Sequence, residues 1–85
     1  MYKVEWSPKA QKDLKKIEPS MAQKIRAGVE QRLAKDPTRR GKPLVHNHKG
    51  KWRFRFSEYR VIYEIKAKEI LILVIEVGHR REIYG

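Results

Sequence analysis

The segment at residues 51–65, KWRFRFSEYRVIYEI, constrains the fold of this chain more than any other, because charged and aromatic residues alternate along it. Positions 51, 53 and 55 are cationic, and positions 52, 54 and 56 are aromatic. Side chains alternate between the two faces of a strand, whereas a helix would scatter these residues around its circumference. Residues 57–58 interrupt the pattern, and residues 59–65 predict a second strand with Arg60 on the face opposite its tyrosines. We therefore predict two adjacent strands with arginines on one sheet surface and a core on the other.

Residues 2–37 predict one short strand followed by two amphipathic helices. Ser7-Pro8 is a typical helix start, with serine as the N-cap and proline at the first helical position. Pro19 separates this helix from a second one, and Asp36-Pro37 ends the second. The apolar residues recur at helical spacing and predict core-packing stripes; they are Ala10, Leu14, Ile17, Met21, Ala22, Ile25, Val29 and Leu33.

The remaining segments complete an α+β outline. Residues 44–46 predict a short strand before a turn. Residues 69–77 are apolar at nearly every position, which is typical of a strand buried on both faces near the centre of a sheet. With 85 residues, the chain is expected to be a single domain, residues 1–85, with the order strand, helix, helix and then three or four antiparallel strands.

Charge is the strongest global property of the chain. It has 21 Lys and Arg against 10 Asp and Glu, a formal net charge of +11. Such an excess favours polyanionic partners such as RNA, DNA or an acidic protein, although it can also serve only as a solubilising surface. There is no cysteine, so disulfides and thiolate metal sites are excluded. The sequence shows neither a hydrophobic signal segment at residues 1–6 nor an apolar run long enough to span a bilayer. We therefore expect a cytoplasmic protein that does not bind membranes.

The three histidines, His46, His48 and His79, do not form a metal-binding pattern, and we expect neither a metal site nor another cofactor. RNA can nevertheless be cut without a metal, because the ribose 2′-OH can attack the adjacent phosphate. Arginines suit the stabilisation of the developing charge, but they transfer protons poorly. The candidates for proton transfer are Lys51, His79, Tyr84 and Glu58, and histidine is the type that titrates closest to neutral pH.

Other cationic residues are candidates for contact with the RNA backbone. The loop at residues 38–43, TRRGKP, is basic, although such runs are as often simply solvated. We predict RNA-binding roles for Arg39, Arg40, Lys42, Lys49 and Arg81. The segment that follows Gly78 leaves the sheet near the arginine surface, which could bring Arg80 and Tyr84 close to Arg60.

The segments WRFRF, EYRVIYEI and VGHRREIY, together with the N-terminal YKVEWSPKAQKDLKKI, resemble the RelE/ParE toxin superfamily over essentially the whole chain. The resemblance is stronger to RelE-type toxins, and it implies a helical hairpin packed on a four-stranded antiparallel sheet. RelE-type proteins are toxins of type II toxin–antitoxin pairs that enter the ribosomal A site and cut translated mRNA. The implied partners are therefore an acidic antitoxin that wraps the toxin, mRNA in the A site and ribosomal RNA.

The resemblance also implies residue roles. The family's catalytic basic pair corresponds to Arg53 and Arg55, and its further catalytic residues correspond to Arg60, Arg80 and Tyr84. Members often have lysines at the positions of Arg53 and Arg55, where arginine suits charge stabilisation better than proton transfer. They also often carry more sequence after the position of Tyr84.

Two other functions are compatible with the same sequence. A ParE-like toxin would poison DNA gyrase and would not need the arginine cluster. A non-catalytic module would bind RNA or the ribosome with a steep salt dependence and would yield no cleaved product.

Overall fold

The sheet has five strands, in the order β1-β5-β4-β3-β2, in a computed structural model that describes residues 1–45 and 49–81. The strands are β1 (Lys3–Trp6), β2 (Lys42–Pro43), β3 (Trp52–Phe56), β4 (Tyr59–Lys66) and β5 (Leu71–His79). The helices are α1 (Pro8–Lys15), α2 (Pro19–Gln31) and the one-turn α3 (Pro37–Arg40), with 3₁₀ turns at Leu33–Lys35 and Ala67–Glu69. No helix in the described part of the chain is both long and apolar enough to cross a membrane.

The neighbours in the sheet are antiparallel except at one edge. β2, β3, β4 and β5 form an antiparallel series, whereas β1 lies parallel to β5. The α+β class and the helical hairpin are confirmed, but the expected four-stranded antiparallel sheet was wrong in strand count. The fifth strand arises because the first strand of the chain pairs with the last, which the alternation within each strand does not reveal.

Both long helices begin at the residues that the sequence indicates. The side chain of Ser7 accepts the N–H of Ala10 at the start of α1. Glu18 caps α2 by accepting the N–H of Met21, and its hydrogen bond with the Ser20 hydroxyl lowers the pKa of Glu18. Proline follows each cap, at a position whose N–H would have no helical partner.

The helical hairpin covers one face of the sheet. The predicted apolar stripes of α1 and α2 pack with the aromatic face of β3 and with the inner positions of β4 and β5. α2 approaches β3 so closely that a Cβ at Gly28 would lie 2.8 Å from the Phe56 ring. The predicted core surface of residues 52–56 is thus confirmed, and the arginines of β3 and β4 fall on the opposite face.

Three local expectations need correction. The short strand that pairs with β3 lies at Lys42–Pro43, where Lys42 is the partner of Arg53, and of the expected strand at residues 44–46 the two described residues, Leu44 and Val45, are not in a strand. The basic loop at residues 38–43 contains the turn of α3, which begins at Pro37. β4 is the central strand rather than β5, because β5 has β1 on one side. His46 and His48 lie outside the described residues.

Helix α1 covers the edge of β5 beyond the end of β1. β1 ends opposite Val74, and the Ser7 N–H donates to the Val74 carbonyl at 2.9 Å. The Ser7 hydroxyl donates to the Ile75 carbonyl at 2.6 Å, and the Asp13 carboxylate accepts the Val77 N–H at 2.9 Å. These bonds satisfy backbone groups that an edge strand would otherwise expose.

A cationic sheet face as the candidate functional site

Arg53, Arg55 and Arg60 lie on the sheet face that the helices leave uncovered, and we call these three residues the arginine face. Their neighbours Phe54 and Val61 are buried in the core, so alternation directs the arginines to the other side. Arg55 pairs directly with Arg60 across β3 and β4, and the adjacent residue on β5 is Gly78. Gly78 adds no side chain to this row.

The Arg55–Arg60 pair brings two positive charges into close register. Phe56 and Tyr59 flank the two-residue loop of the hairpin, so the next pair occupies a non-hydrogen-bonded position, where side chains are closer. Like charges directly opposite each other destabilise a sheet. Within the described residues, neither Arg53 nor Arg55 forms an ion pair with a carboxylate. Two guanidinium groups in this register suit an anionic ligand.

A β-bulge determines which side of β5 faces this surface. Ile62 pairs with Glu76 and Tyr63 pairs with Val74, so Ile75 is the extra residue. The bulge shifts the alternation by one position, and as a result Val77 rather than Glu76 enters the core. Gly78 and Arg80 then share the side of Arg60, and His79 falls on the side of the helices.

Arg80 and the residue before it, His79, both contact Glu58 in the β3–β4 hairpin loop. Its N–H donates to the Glu58 carbonyl at 2.8 Å, which continues the β4–β5 register by one residue. The preceding His79 contacts the Glu58 carboxylate through Nε2 at 3.4 Å. The Arg81 N–H donates to His79 Nδ1 at 3.2 Å, so in the neutral ring the proton lies on Nε2 and is directed at Glu58.

His79 therefore does not join the arginine face. Its ring packs edge-on against Tyr59, with ring centroids 5.6 Å apart, and Tyr59 packs on the core side. A cleft of about 320 Å³ adjoins this cluster between α1 and the end of β5. Lys9 at its rim contacts Asp13 and Glu76 at 3.0 and 3.4 Å, and the hydrogen bond to Asp13 raises the pKa of Lys9.

A second group of cations lies at the other edge of the arginine face. Arg40 from α3, Lys42 from β2 and Arg53 with Arg55 from β3 line a pocket of about 180 Å³, together with Gly41. Lys42 and Arg53 are direct partners in the sheet. Three separate elements thus bring four positive charges around one small concave volume.

The buried Tyr63 holds the segment that carries Arg40 and Lys42. Its side chain is 0% exposed, and its hydroxyl donates to the Pro37 carbonyl at 2.6 Å. A Cβ at Gly41 would lie 1.9 Å from that hydroxyl and 2.7 Å from the Arg53 carbonyl, so only glycine fits there. Burial raises the pKa of Tyr63, which keeps the hydroxyl protonated and able to donate.

The other predicted site residues are less closely grouped. Lys51 continues β3, because its carbonyl accepts the Leu44 N–H at 2.8 Å, and alternation puts its side chain on the side of Arg53. Arg39 is exposed and lies 3.9 Å from Asp36. Lys49 and Arg81 are exposed, and Tyr84 lies outside the described residues. Within residues 1–45 and 49–81, no group of three or more His, Asp or Glu side chains is arranged so that it could hold a metal ion.

Sequence reasoning missed the structural roles of Tyr63 and Gly41. Tyr63 matched the core pattern of β4, and nothing in that pattern shows that its hydroxyl reaches a carbonyl that precedes it by 26 residues. Gly41 follows two arginines in a stretch that is typical of a solvated loop. A single glycine between a one-turn helix and a strand was the only available signal.

The arrangement as a whole can bind and polarise a phosphodiester. Guanidinium groups bind phosphate oxygens in a bidentate manner and remain charged at all relevant pH values. Arg55 and Arg60 are direct partners on two strands, and the backbone of Arg80 is held at the end of the third strand. Such a site stabilises negative charge that develops on a reacting phosphate.

The family model described as "ParE toxin of type II toxin-antitoxin system, parDE" matches residues 4–84. The chain is 30% identical to Toxin RelG of Mycobacterium tuberculosis over 83 residues. The aligned region covers 98% of this chain and 95% of that protein.

Solved structures have the same fold. The toxin–antitoxin complex RelBE2 of Mycobacterium tuberculosis contains a chain with a TM-score of 0.89 and 29% identity, over 93% of this chain and 98% of that one. The isolated RelE toxin of E. coli has a TM-score of 0.75 at 17% identity, over 93% of this chain and 84% of that one. The second likeness concerns the fold alone.

Proposed function

This chain belongs to the ParE toxin family of type II toxin–antitoxin systems, and from that premise we propose that it is a ribosome-dependent endoribonuclease that cuts translated mRNA. The observation that carries the proposal is the Arg55–Arg60 pair on the uncovered sheet face. Two guanidinium groups in direct register can bind the oxygens of one phosphate together. A toxin that acts without nucleic-acid chemistry has no need of them.

The proposed reaction is an attack of the ribose 2′-OH on the adjacent phosphorus. The 2′-oxygen forms a bond to phosphorus, the bond to the 5′-oxygen breaks, and the products are a 2′,3′-cyclic phosphate and a free 5′-OH. A proton leaves the 2′-OH, and a proton reaches the departing 5′-oxygen. Arg60 and Arg80 hold the scissile phosphate, while Arg53 and Arg55 neutralise the charge that develops on it.

Proton transfer requires a different type of residue, because arginine hardly deprotonates. Lys51 extends the row of cations on the side of Arg53, and Tyr84 is the family's near-terminal tyrosine. We assign the proton transfers to these two residues. We assign His79 a positioning role, since it contacts Glu58 and Arg81 on the helix side of the sheet.

An antitoxin is the proposed protein partner. The similar chain in the RelBE2 structure is part of a toxin–antitoxin complex. A domain with a net charge of +11 and a cationic sheet face suits an acidic segment that orders on binding.

Controlled expression in bacteria tests the nuclease, with primer extension on a translated reporter mRNA and on a matched mRNA that lacks its start codon. We expect cuts in the translated message alone. Arg80→Ala and Arg60→Ala should each lower cleavage roughly 10²-fold or more, because each removes a donor to the transition state. Lys68→Ala is the matched control, since it removes an exposed cation beyond the opposite end of β4.

Poisoning of DNA gyrase is the second candidate function, because the matching family model carries the ParE name. It predicts growth arrest with DNA damage, intact mRNA and undiminished toxicity of Arg80→Ala. Arrest with that pattern would replace the nuclease proposal. Binding of RNA with no cut message and no arrest would instead indicate a non-catalytic module.

A further inference from the structure

The pocket of Arg40, Lys42, Arg53 and Arg55 is distinct from the Arg55–Arg60 row, although the two share Arg55. The pocket lies at the β2 edge of the sheet, whereas the row extends from β3 towards Gly78 of β5. One phosphate in the row leaves Arg40 and Lys42 at the β2 edge unused.

The spacing of the two regions suits a polymer of phosphates. Arg53 and Arg55 are two residues apart on one strand, so their Cα atoms are separated by roughly 7 Å. Successive phosphates along an extended RNA strand have a comparable spacing. An RNA strand that lies along β3 with one phosphate at the row would therefore bring a neighbouring phosphate to the pocket.

The pocket is held in place before any ligand arrives. The hydroxyl of Tyr63 binds the Pro37 carbonyl at one end of the segment, and the β2–β3 pairing fixes Lys42 beside Arg53 at the other. The Arg40 N–H donates to the Asp36 carbonyl at 3.0 Å. Because the backbone that carries these cations is fixed, less conformational entropy is lost when an anion binds.

The charges of the pocket are also available to a ligand. Within residues 1–45 and 49–81, no carboxylate forms an ion pair with Arg40, Lys42 or Arg53. The nearby Asp36 instead lies 3.9 Å from Arg39. Mutual repulsion of the cations is relieved when an anion binds between them.

We propose that Arg40 and Lys42 form a second phosphate subsite beside Arg53, which also faces the scissile phosphate, and that this subsite holds the adjacent phosphate of single-stranded RNA. This inference rests on the proposed function, because it takes RNA as the ligand of the arginine face. The subsite fixes the register of the strand and leaves the chemical step to the neighbouring row. Its loss therefore weakens substrate binding more than it slows the bound substrate.

The test uses the purified toxin and short RNAs whose 2′-oxygens are methylated, so that they cannot be cut. A tetranucleotide offers three phosphodiesters and a dinucleotide offers one. Affinities are measured by NMR titration at several salt concentrations for the wild type, Arg40→Gln, Lys42→Gln and the control Lys68→Gln. Arg40 and Lys42 are exposed, and thermal unfolding of each variant confirms that it is folded.

We expect each pocket variant to bind the tetranucleotide with roughly 10-fold lower affinity at low salt. The control variant should bind it with unchanged affinity. The slope of log K against log salt concentration should fall by about 0.7 for each lost phosphate contact. The dinucleotide, which occupies the row, should bind all four proteins within about twofold, because it has no second phosphate for this subsite.

Unchanged binding of the tetranucleotide by Arg40→Gln and Lys42→Gln would overturn the proposal. An equal loss for both RNAs would overturn it too, because the pocket would then be the primary phosphate site. A glutamate-rich peptide is the third probe, and a loss confined to that peptide would show that the pocket binds protein carboxylates. None of these measurements requires cleavage, so failure of the nuclease proposal is detected separately on translated mRNA.

Discussion

At the scale of single residues, the contacts of His79 explain how Arg80 is positioned. The imidazole accepts the Arg81 N–H and faces Glu58, while the Arg80 N–H binds the Glu58 carbonyl. The two residues that flank Arg80 are thus tied to the hairpin loop or to each other. We infer that the position of Arg80 depends on a side chain at position 79 that accepts the Arg81 N–H. A residue other than histidine can supply such an acceptor.

We expect His79→Ala to lower mRNA cleavage roughly 10-fold to 10²-fold, because small displacements of a phosphate-binding group are costly. His79→Asn should retain most of the activity, since its amide oxygen can accept the Arg81 N–H from the position of Nδ1. Single-turnover cleavage by both variants is the measurement, with thermal unfolding as the check on folding. If asparagine is as damaging as alanine, the ring transfers protons and the positioning role is wrong.

Tyr63 supplies a prediction for stability against pH. Tyr63→Phe should lower the free energy of unfolding at neutral pH by about 1–3 kcal/mol, because the buried Pro37 carbonyl loses its donor. Burial raises the pKa of Tyr63, so above about pH 10 the unfolded chain loses this proton before the folded protein does. Wild-type stability then falls with rising pH by up to about 1.4 kcal/mol per unit, and the phenylalanine variant lacks this component.

Urea denaturation of both proteins at pH values on either side of the ordinary tyrosine range measures the effect. The difference between wild type and variant should narrow as the pH rises. A constant difference would mean that the hydroxyl ionises as easily in the folded protein as in the unfolded chain.

At the scale of elements, alternation and helical periodicity identified the faces but not the neighbours. Residues 51–65 showed which side of β3 and β4 carries arginine, because a side-chain period of two is a local property. The pairing of β1 with β5 depends on which backbone edges meet, and neither strand records its partner. The bulge at Ile75 was also invisible, since every residue from Ile70 to Ile75 is apolar and the phase of the pattern is lost there.

The cover that α1 provides for β5 can be tested independently of function. Asp13→Ala should lower the free energy of unfolding by about 1.5–3 kcal/mol, because the Val77 N–H loses a charged acceptor. Lys12→Ala on the same helix should change it by less than about 0.5 kcal/mol, because its side chain is exposed. Chemical denaturation compares the two, and equal losses would show that the bond at the β5 edge adds nothing.

At the scale of the whole molecule, the amino-acid composition showed the excess of positive charge. It did not show that the cations cluster on one face of the sheet. The net charge of +11 indicated a polyanionic partner, but a uniform surface would have given the same figure. The sheet collects Arg53, Arg55 and Arg60 on one face, and the fold adds Arg40 and Lys42 at its edge. Which cations meet is set by register and by the bond between Tyr63 and Pro37, and those depend on the complete fold.

The charge also predicts how the proposed toxin–antitoxin complex responds to salt. We expect the dissociation constant to rise steadily with ionic strength, because the Debye length shrinks to about 3 Å near 1 M salt. Titration calorimetry in sodium chloride measures this, with a neutral osmolyte at equal osmolality as the control. A complex of unchanged affinity near 1 M salt would mean that apolar packing, rather than charge, holds the partners together.

The parallel pairing of β1 with β5 has a consequence for folding during synthesis. Of the five strands, β1 leaves the ribosomal exit tunnel first and β5 leaves it last, so β1 has no partner until then. The nascent chain therefore cannot complete its core or position Arg80 until β5 has left the tunnel. An interrupted translation product that lacks β5 has neither the partner of β1 nor this arginine, so we expect such a fragment to be non-toxic.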